Sequence, residues 1–296
     1  MYQKGFLLYN DKAGQDDGQK NVGIAAGILS KKVEELTILK GKAPGDLEKI
    51  CKEQGERADI LFIMGGDGTV HECVNGLVDL NNPPIISILP GGTCNDFARS
   101  LNVPMTIAEA SVFAVNGKQK KIDIGYMNDR SFSNFVGIGL ITEASENIDQ
   151  EAKERTGTLS YFMSAMRSMK ETTPFKYKIN LNDGEYEGDA VMIVAMNGAF
   201  IGTRALPFED ISLEDGKLNL FIVKEGGIAI FREWFQRKGL FGQENVSENV
   251  TVMKGDQILM ETEQPMKADS DGEIYLETPL KIGVKAQHLS FIADLQ

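Results

Sequence analysis

The side chains that could do chemistry in this chain are carboxylates set beside glycines. Asp67 stands inside MGGDGTVHE (64–72), at the end of the apolar run ADILFIM. Glycine-rich loops let backbone approach a phosphate closely, yet an aspartate would repel a naked polyphosphate. A divalent cation between the two resolves the conflict, because Mg²⁺ is held by carboxylates plus phosphate oxygens. The pattern therefore points to a Mg-nucleotide loop. A second loop, PGGTCNDFAR (90–99), repeats the logic, with Thr93 and Asp96 as polar members. Far along the chain, Asp271-Gly272-Glu273 supplies two carboxylates two residues apart. In an extended segment they point to the same side. One could then take a hydroxyl proton while the other holds a metal or a water.

Better-known phosphate loops do not fit. A Walker A loop needs Gly-Lys-Ser/Thr, and no lysine is present here. A dinucleotide fingerprint needs G-x-G-x-x-G, and from Gly66 the third glycine is missing. A bare Asp-Gly is most often a hairpin turn, but the residues after Gly68 have a helical period. The unit is strand, GGDGT, helix. Asn95 and Asp96 can also cap the helix FARSL, which is compatible with orienting a ligand.

The elements that position these loops alternate through the first 125 or so residues. GFLLYN, ADILFIM and IISIL read as buried strands. Ile24, Ile28, Leu29, Val33 and Leu36 recur at helical spacing over 20–36. Val70, Val74, Leu77 and Val78 mark a helix in VHECVNGLVDL. Strands alternating with helices imply a parallel sheet, and ligands of such sheets bind outside the carboxyl ends of the strands. The second half differs. After FSNFVGIGL (132–140) and a helical stretch at 158–170 come KYKINL, EYEGDAVMIVAMN, KLNLFIV, NVTVMKG, DQILMET, EIYLE, LKIGVKA and LSFIADL. Turn signals NDG, EDG and SDG separate several of them. An antiparallel β-rich domain is expected there, with the boundary near the turn MNDR: residues 1–127, then 128–296.

Bulk composition narrows the function. With 42% hydrophobic residues the chain can bury a sizeable core. A net charge of −12 argues against a nucleic-acid binder and against broad adhesion to anionic lipid, though not against a local docking patch. Cys51, Cys73 and Cys94 fit no zinc or disulfide spacing, so a reducing cytoplasm is expected. The opening MYQKGFLLYNDKAG predicts no signal peptide, and no run of about 18 apolar residues predicts a membrane span. Chains of this size are often homodimers, but no segment announces an interface.

GGDGT followed by a helix, then GGTCNDFAR, resembles the diacylglycerol kinase catalytic domain in its bacterial soluble lipid-kinase branch. Asn10-Asp-Lys-Ala-Gly14, KIDIG (121–125), FSNFVGIGL, LEDGKLNL (213–220) and DSDGE (269–273) extend the resemblance over nearly the whole chain. GGDGT alone is shared with NAD kinases and phosphofructokinases. The resemblance implies an α/β N-terminal domain of that kind, a β-rich C-terminal domain, and an active site in the cleft between them. It implies a kinase that uses ATP and Mg²⁺ and phosphorylates a lipid, diacylglycerol first, while peripherally at the inner face of the membrane. Other acceptors are a sphingoid base, phosphatidylglycerol or a soluble metabolite such as NAD. A non-catalytic nucleotide- or lipid-binding regulator is the reading from another class.

Carried over by position, ATP would contact Asn10, Asp11, Lys12, Ala13 and Gly14, then Gly66, Asp67, Gly68, Thr69, Val70, His71 and Glu72, and Thr93. A structural Mg²⁺ would sit at the EDG turn on the Asp215 carboxylate and the carbonyls of Ser212 and Lys217. Asp67, Asp96 and Asp123 would form an acidic network positioning Mg²⁺ directly or through water. The resemblance favours Glu273 as base, with Asp271 second. Two departures stand out: Asp11 replaces the usual proline of the first loop, and Gln15 stands where some relatives have a basic residue, a role Lys12 could take. His71 is expected to touch nucleotide through its backbone, without an acid–base role, and His288 to fill structure. FREWFQRKGLFG (231–242), aromatic and basic, suits either a membrane interface or an amphipathic helix on the β domain. Met163, Ala165, Met166 and Met169 suit an apolar tunnel or core.

Overall fold

A computed structural model describes residues 1–10, 18–142, 173–182, 184–206, 211–227 and 248–295. The chain divides into two units, Met1–Ile122 with Gln287–Gln296, and Asp123–Ala286.

The first unit contains β1 (Tyr2–Asn10), α1 (Gly18–Leu29), β2 (Val33–Gly41), α2 (Asp46–Gln54), β3 (Ile60–Gly65), α3 (Asp67–Leu77), β4 (Ile85–Pro90), α4 (Asp96–Ser100) and α5 (Ile107–Asn116). Its strands pair in the order β2-β1-β3-β4, all parallel. Every residue of β3 is buried, as a strand covered on both faces requires. Helices α2 and α3 pack so closely that a Cβ on Gly76 would strike the Glu48 carbonyl and Cys51. That explains a glycine in the last turn of α3. The helical reading of 20–36 runs too far. Val33 and Leu36 lie in β2, because Ser30–Lys32 turns the chain and β2 takes up parallel pairing with β1. Their three-residue spacing mimics a helix on an edge strand whose outer residues are exposed.

The second unit begins within β5 (Lys118–Met127), which turns through Asn128, at φ 53, into β6 (Arg130–Phe132). Then come β7 (Phe135–Gly139), β8 (Phe175–Leu181), β9 (Gly184–Ala190), β10 (Met192–Met196), β11 (Phe200–Ile201), β12 (Arg204–Ala205), β13 (Leu218–Val223), β14 (Val250–Gly255), β15 (Gln257–Thr262), β16 (Lys267–Ser270), β17 (Glu273–Glu277) and β18 (Leu280–Ala293). One sheet has the order β14-β13-β10-β7-β16-β17, antiparallel throughout. Strands β9, β8, β15 and the start of β18 pair antiparallel in another. Val136, Ile138, Ile193, Ala195, Leu220 and Ile222 of the former pack with Ile179, Ile258, Met260 and Ile282 of the latter. Alternate residues of the former, Phe135, Val194, Met196 and Phe221, build a second core on its opposite face. This is the period-2 logic of a sandwich. The expected fold class holds: a mainly parallel α/β unit followed by an antiparallel β unit.

Two strand readings change. EYEGDAVMIVAMN is two strands, β9 and β10, in different sheets. LKIGVKA and LSFIADL are one strand, β18. Its Gln287–Ala293 portion belongs to the first unit, where Phe291 pairs parallel with Ile86 of β4. The division thus falls at Ile122/Asp123, and the first unit regains the chain's end, which two consecutive stretches meeting at 127/128 do not include. The helical stretch 158–170 and the segment 231–242 lie outside the described residues. Among those described, no helix is long and apolar enough to cross a membrane.

Candidate active site

Parallel pairing sets the carboxyl ends of β1, β3 and β4 side by side, so Asn10, Gly65 and Pro90 end neighbouring strands. The glycine loops leave the last two. They are locked together: Gly91 donates its N–H to the Gly65 carbonyl at 2.9 Å. A Cβ on Gly92 would lie 2.5 Å from the Gly66 Cα, and one on Gly65 2.5 Å from Thr69. These glycines are required by loop-on-loop packing before any ligand is considered. Asn95 closes the second loop on itself. Its Oδ1 accepts from the Gly92 N–H at 2.9 Å and its Nδ2 donates to the Gly92 carbonyl at 2.8 Å.

Asn95 therefore does not cap α4 with its side chain, as the sequence suggested; it sits before the helix at φ 53 with its amide turned back on the loop. Asp67 does that work from the other loop. Its Oδ1 accepts from the Phe97 N–H at 3.1 Å, a carboxylate at a helix N-terminus. Phe97 in turn stacks edge-on against Phe291, centroids 5.5 Å apart, both fully buried. Asp67→Ala is expected to cost about 1 kcal/mol through loss of this cap, read as a lowered unfolding midpoint, and to lose activity that added ATP does not restore, read from an ATP titration of the rate.

The expected nucleotide residues divide by exposure. Gly66, Asp67, Gly68, Thr69 and Glu72 are half-buried, and Thr93 is exposed. Val70 and His71 are buried; the amides of Thr69 and Val70 already bond the Gly66 carbonyl, and the His71 carbonyl accepts from Asn75 Nδ2. Asp96 is fully buried at the start of α4. Asp11, Lys12, Ala13 and Gly14, with Gln15, lie outside the described residues. His288 bonds the Val78 carbonyl, at 2.6 Å, a structural contact. Burial pushes the Cys73 thiol well above the usual range, helped by its bond with Cys51, which suits packing rather than reactivity.

In the second unit, Asp123 is fully buried. Its N–H donates to the Leu213 carbonyl at 2.8 Å and its Oδ2 accepts from the Gly216 N–H at 2.7 Å. It thereby shapes the EDG turn, where Gly216 stands at φ +68. Within that turn, Asp215 Oδ1 accepts from the Lys217 N–H at 3.0 Å, and Ser212 Oγ from the Glu214 N–H at 3.1 Å. The Asp123 and Asp215 carboxylates and the Ser212 hydroxyl at this turn are oxygens of the hard kind Mg²⁺ takes. The Lys254 ammonium, 3.6 Å from Asp215 Oδ2, already neutralises that carboxylate. Among the described residues no cluster of three or more His, Cys, Asp or Glu could hold a metal. A metal at these loops would thus depend on backbone or phosphate oxygens.

Asp271 and Glu273 are not in one extended segment. Ser270 pairs with Glu273, and Asp271-Gly272 is the two-residue turn between β16 and β17, at φ 53 and φ 92. Both values are positive, as a type I′ hairpin demands, and Asp-Gly is a preferred pair for it. The two carboxylates consequently part company. Asp271 is buried and accepts at both oxygens: from Ser133 N–H at 2.8 Å and Ser133 Oγ at 3.0 Å, and from the N–H groups of Asn134 at 3.0 Å and Phe135 at 2.9 Å. Glu273 is half-buried, and among the described residues its carboxylate has no hydrogen bond or ion pair.

Sequence reasoning passed over Ser133, Asn134 and Asn197. Asn197 Nδ2 donates to the carbonyls of Asp123 and Ser133. The signal was a polar residue bordering an apolar run, as in SNFVGIG and MIVAMN.

Against known proteins, residues 4–127 match the diacylglycerol kinase catalytic domain, and residues 134–293 the "YegS C-terminal NAD kinase beta sandwich-like domain". A Staphylococcus carnosus (strain TM300) protein named "Putative lipid kinase" is 34% identical over 286 residues, 95% of this chain and 94% of that protein. A "Putative lipid kinase" of Staphylococcus aureus (strain MSSA476) is 36% identical over 290 residues, 96% of this chain and 94% of its own length. The crystal structure of "a putative diacylglycerol kinase from Bacillus anthracis str. Sterne" superposes with a TM-score of 0.90 at 37% identity, over 99% of this chain and 97% of that one.

Proposed function

We propose, for a chain that belongs to the bacterial lipid kinase family carrying the diacylglycerol kinase catalytic domain, that it transfers the γ-phosphate of Mg-ATP to a lipid hydroxyl, most simply that of diacylglycerol. The observation that carries this reading is the division of labour at the DGE hairpin. Asp271 is spent on four donors, while Glu273 keeps a half-exposed carboxylate able to take the hydroxyl proton.

Phosphoryl transfer asks for positioning and charge neutralisation more than covalent chemistry. In this reading the interlocked loops at Gly66–Thr69 and Thr93 receive the phosphates, with Asn10 at the end of the neighbouring strand β1. Asp67 and Asp96 orient the cation that accompanies the nucleotide. Asp67 has a second duty, fixing α4 relative to its own loop. Asp123 acts through the EDG turn, holding Gly216 and so the carbonyls of Ser212 and Lys217 beside Asp215. Asp271 positions and Glu273 is the base. Bound Mg²⁺ would supply the positive charge that the developing phosphoryl oxygens need. The lipid would be met at the inner membrane surface by peripheral contact.

Incubation with labelled Mg-ATP and mixed micelles of diacylglycerol, a sphingoid base or phosphatidylglycerol tests this. Label on diacylglycerol is expected. Label confined to another lipid replaces the acceptor. No label on any lipid, with ATP still bound, overturns the kinase reading in favour of a regulator.

A further inference from the structure

Asn197 follows β10 and is fully buried. Its carboxamide nitrogen has two hydrogens, and both are used on backbone far away in sequence. One goes to the Asp123 carbonyl at 2.9 Å, the other to the Ser133 carbonyl at 2.8 Å. The backbone joins in: the N–H groups of Asn197 and Gly198 both donate to the Asn134 carbonyl, at 2.8 and 3.0 Å. A single residue therefore ties two segments with different duties. The Asp123 segment carries the carboxylate that holds Gly216 and so shapes the EDG turn. The Ser133–Phe135 segment carries the donors that hold Asp271 and so fix the hairpin leading to Glu273.

The other end of the side chain has no such use. Asn197 Oδ1 is buried and receives no hydrogen bond from the described residues. A buried amide oxygen in that state costs stability. An apolar side chain of similar size would avoid that cost while filling the same space. What it could not do is donate twice, to two carbonyls, from one planar group. Only asparagine and glutamine offer a terminal NH₂ on a carboxamide, and glutamine is one carbon too long for the same reach. The donor pair is thus the property that singles out this residue.

We infer that Asn197 is a positioning residue for the kinase reaction: its carboxamide sets the EDG turn and the DGE hairpin in register, so that the metal-proximal turn and the base are assembled as one unit. The inference rests on the function proposed above, but its linkage of two loops can be measured without turnover.

The test uses the full chain with Asn197→Leu, close in volume and without donors. In hydrogen exchange, the amides of Ser133, Asn134 and Phe135 and that of Gly216 should all exchange at least tenfold faster, while β3 and β4 amides keep wild-type protection. In turnover, kcat should fall at least tenfold with the KM for ATP unchanged within twofold. A merely structural residue would raise exchange uniformly across the second unit and leave kcat per folded molecule intact. That result would overturn the inference, as would loosening of one segment without the other. If Asn197→Leu does not fold, Asn197→Ala, which also lacks both donors, takes its place under the same criteria. Should the wild-type protein phosphorylate no lipid, the function proposed above fails by itself. The paired or unpaired loss of protection then decides whether Asn197 links the two loops.

Discussion

Glu273→Gln is expected to lower kcat for phosphoryl transfer by roughly 10²- to 10⁴-fold, the range a positioned general base contributes, with ATP affinity unchanged within twofold. The substitution is nearly isosteric and removes only the capacity to accept a proton. Among the described residues the Glu273 carboxylate has no hydrogen bond or ion pair, so no partner is left stranded there and the unfolding midpoint should stay at the wild-type value. In the proposed function nucleotide binding falls to the glycine loops of the first unit, whereas Glu273 belongs to the second. Pre-steady-state transfer, ATP titration and thermal unfolding measure the three quantities on one preparation. Equal turnover in the variant would remove Glu273 as base.

The fold was legible where the hydrophobic period was unambiguous. ADILFIM became β3, and VHECVNGLVDL became α3 with Val70, Val74, Leu77 and Val78 buried. It misled where an edge strand copied a helical spacing, as at Val33 and Leu36, since half of β2 has no core to face. The loops were legible as loops, but the packing of their glycines on each other was not. A sequence does not show that Gly66 and Gly92 touch each other, because that contact arises only when β3 and β4 pair in register. The same holds for the carboxylates. Nothing local distinguishes Asp271, whose carboxylate has four donors more than a hundred residues away, from Glu273, whose carboxylate has none among the described residues. Pattern and spacing name residue types; commitment of their lone pairs is a property of the assembled sheets.

That commitment makes Asp271 the position where stability and activity should fall together. Asp271→Asn keeps the side-chain shape and the tolerance of φ 53 that alanine lacks. It replaces one acceptor oxygen with an NH₂. Turned toward Asn134 and Phe135, the NH₂ meets two backbone N–H groups that cannot reverse their polarity. Turned toward Ser133, it meets one N–H and a hydroxyl that can rotate to accept, so this orientation should prevail, with one buried donor stranded and the charge lost from the rest. Hydrogen bonds to a charged group are worth about 1.5–3 kcal/mol each, and a stranded buried donor costs about 1–3 kcal/mol. A loss near 3 kcal/mol is therefore expected. For a domain of this size it lowers the unfolding midpoint by roughly 6–12 °C. Since the turn sets where β17 begins, kcat should fall about a hundredfold with it, a loss of the size that small misplacement of a reacting group produces. The two carboxylates are separated by this comparison. If Asp271 were itself the base, Glu273→Gln would keep its turnover while Asp271→Asn lost both turnover and midpoint, because the four donors are left short in either case. A fall in both, with Glu273→Gln losing turnover alone, assigns the proton to Glu273 and its placement to Asp271.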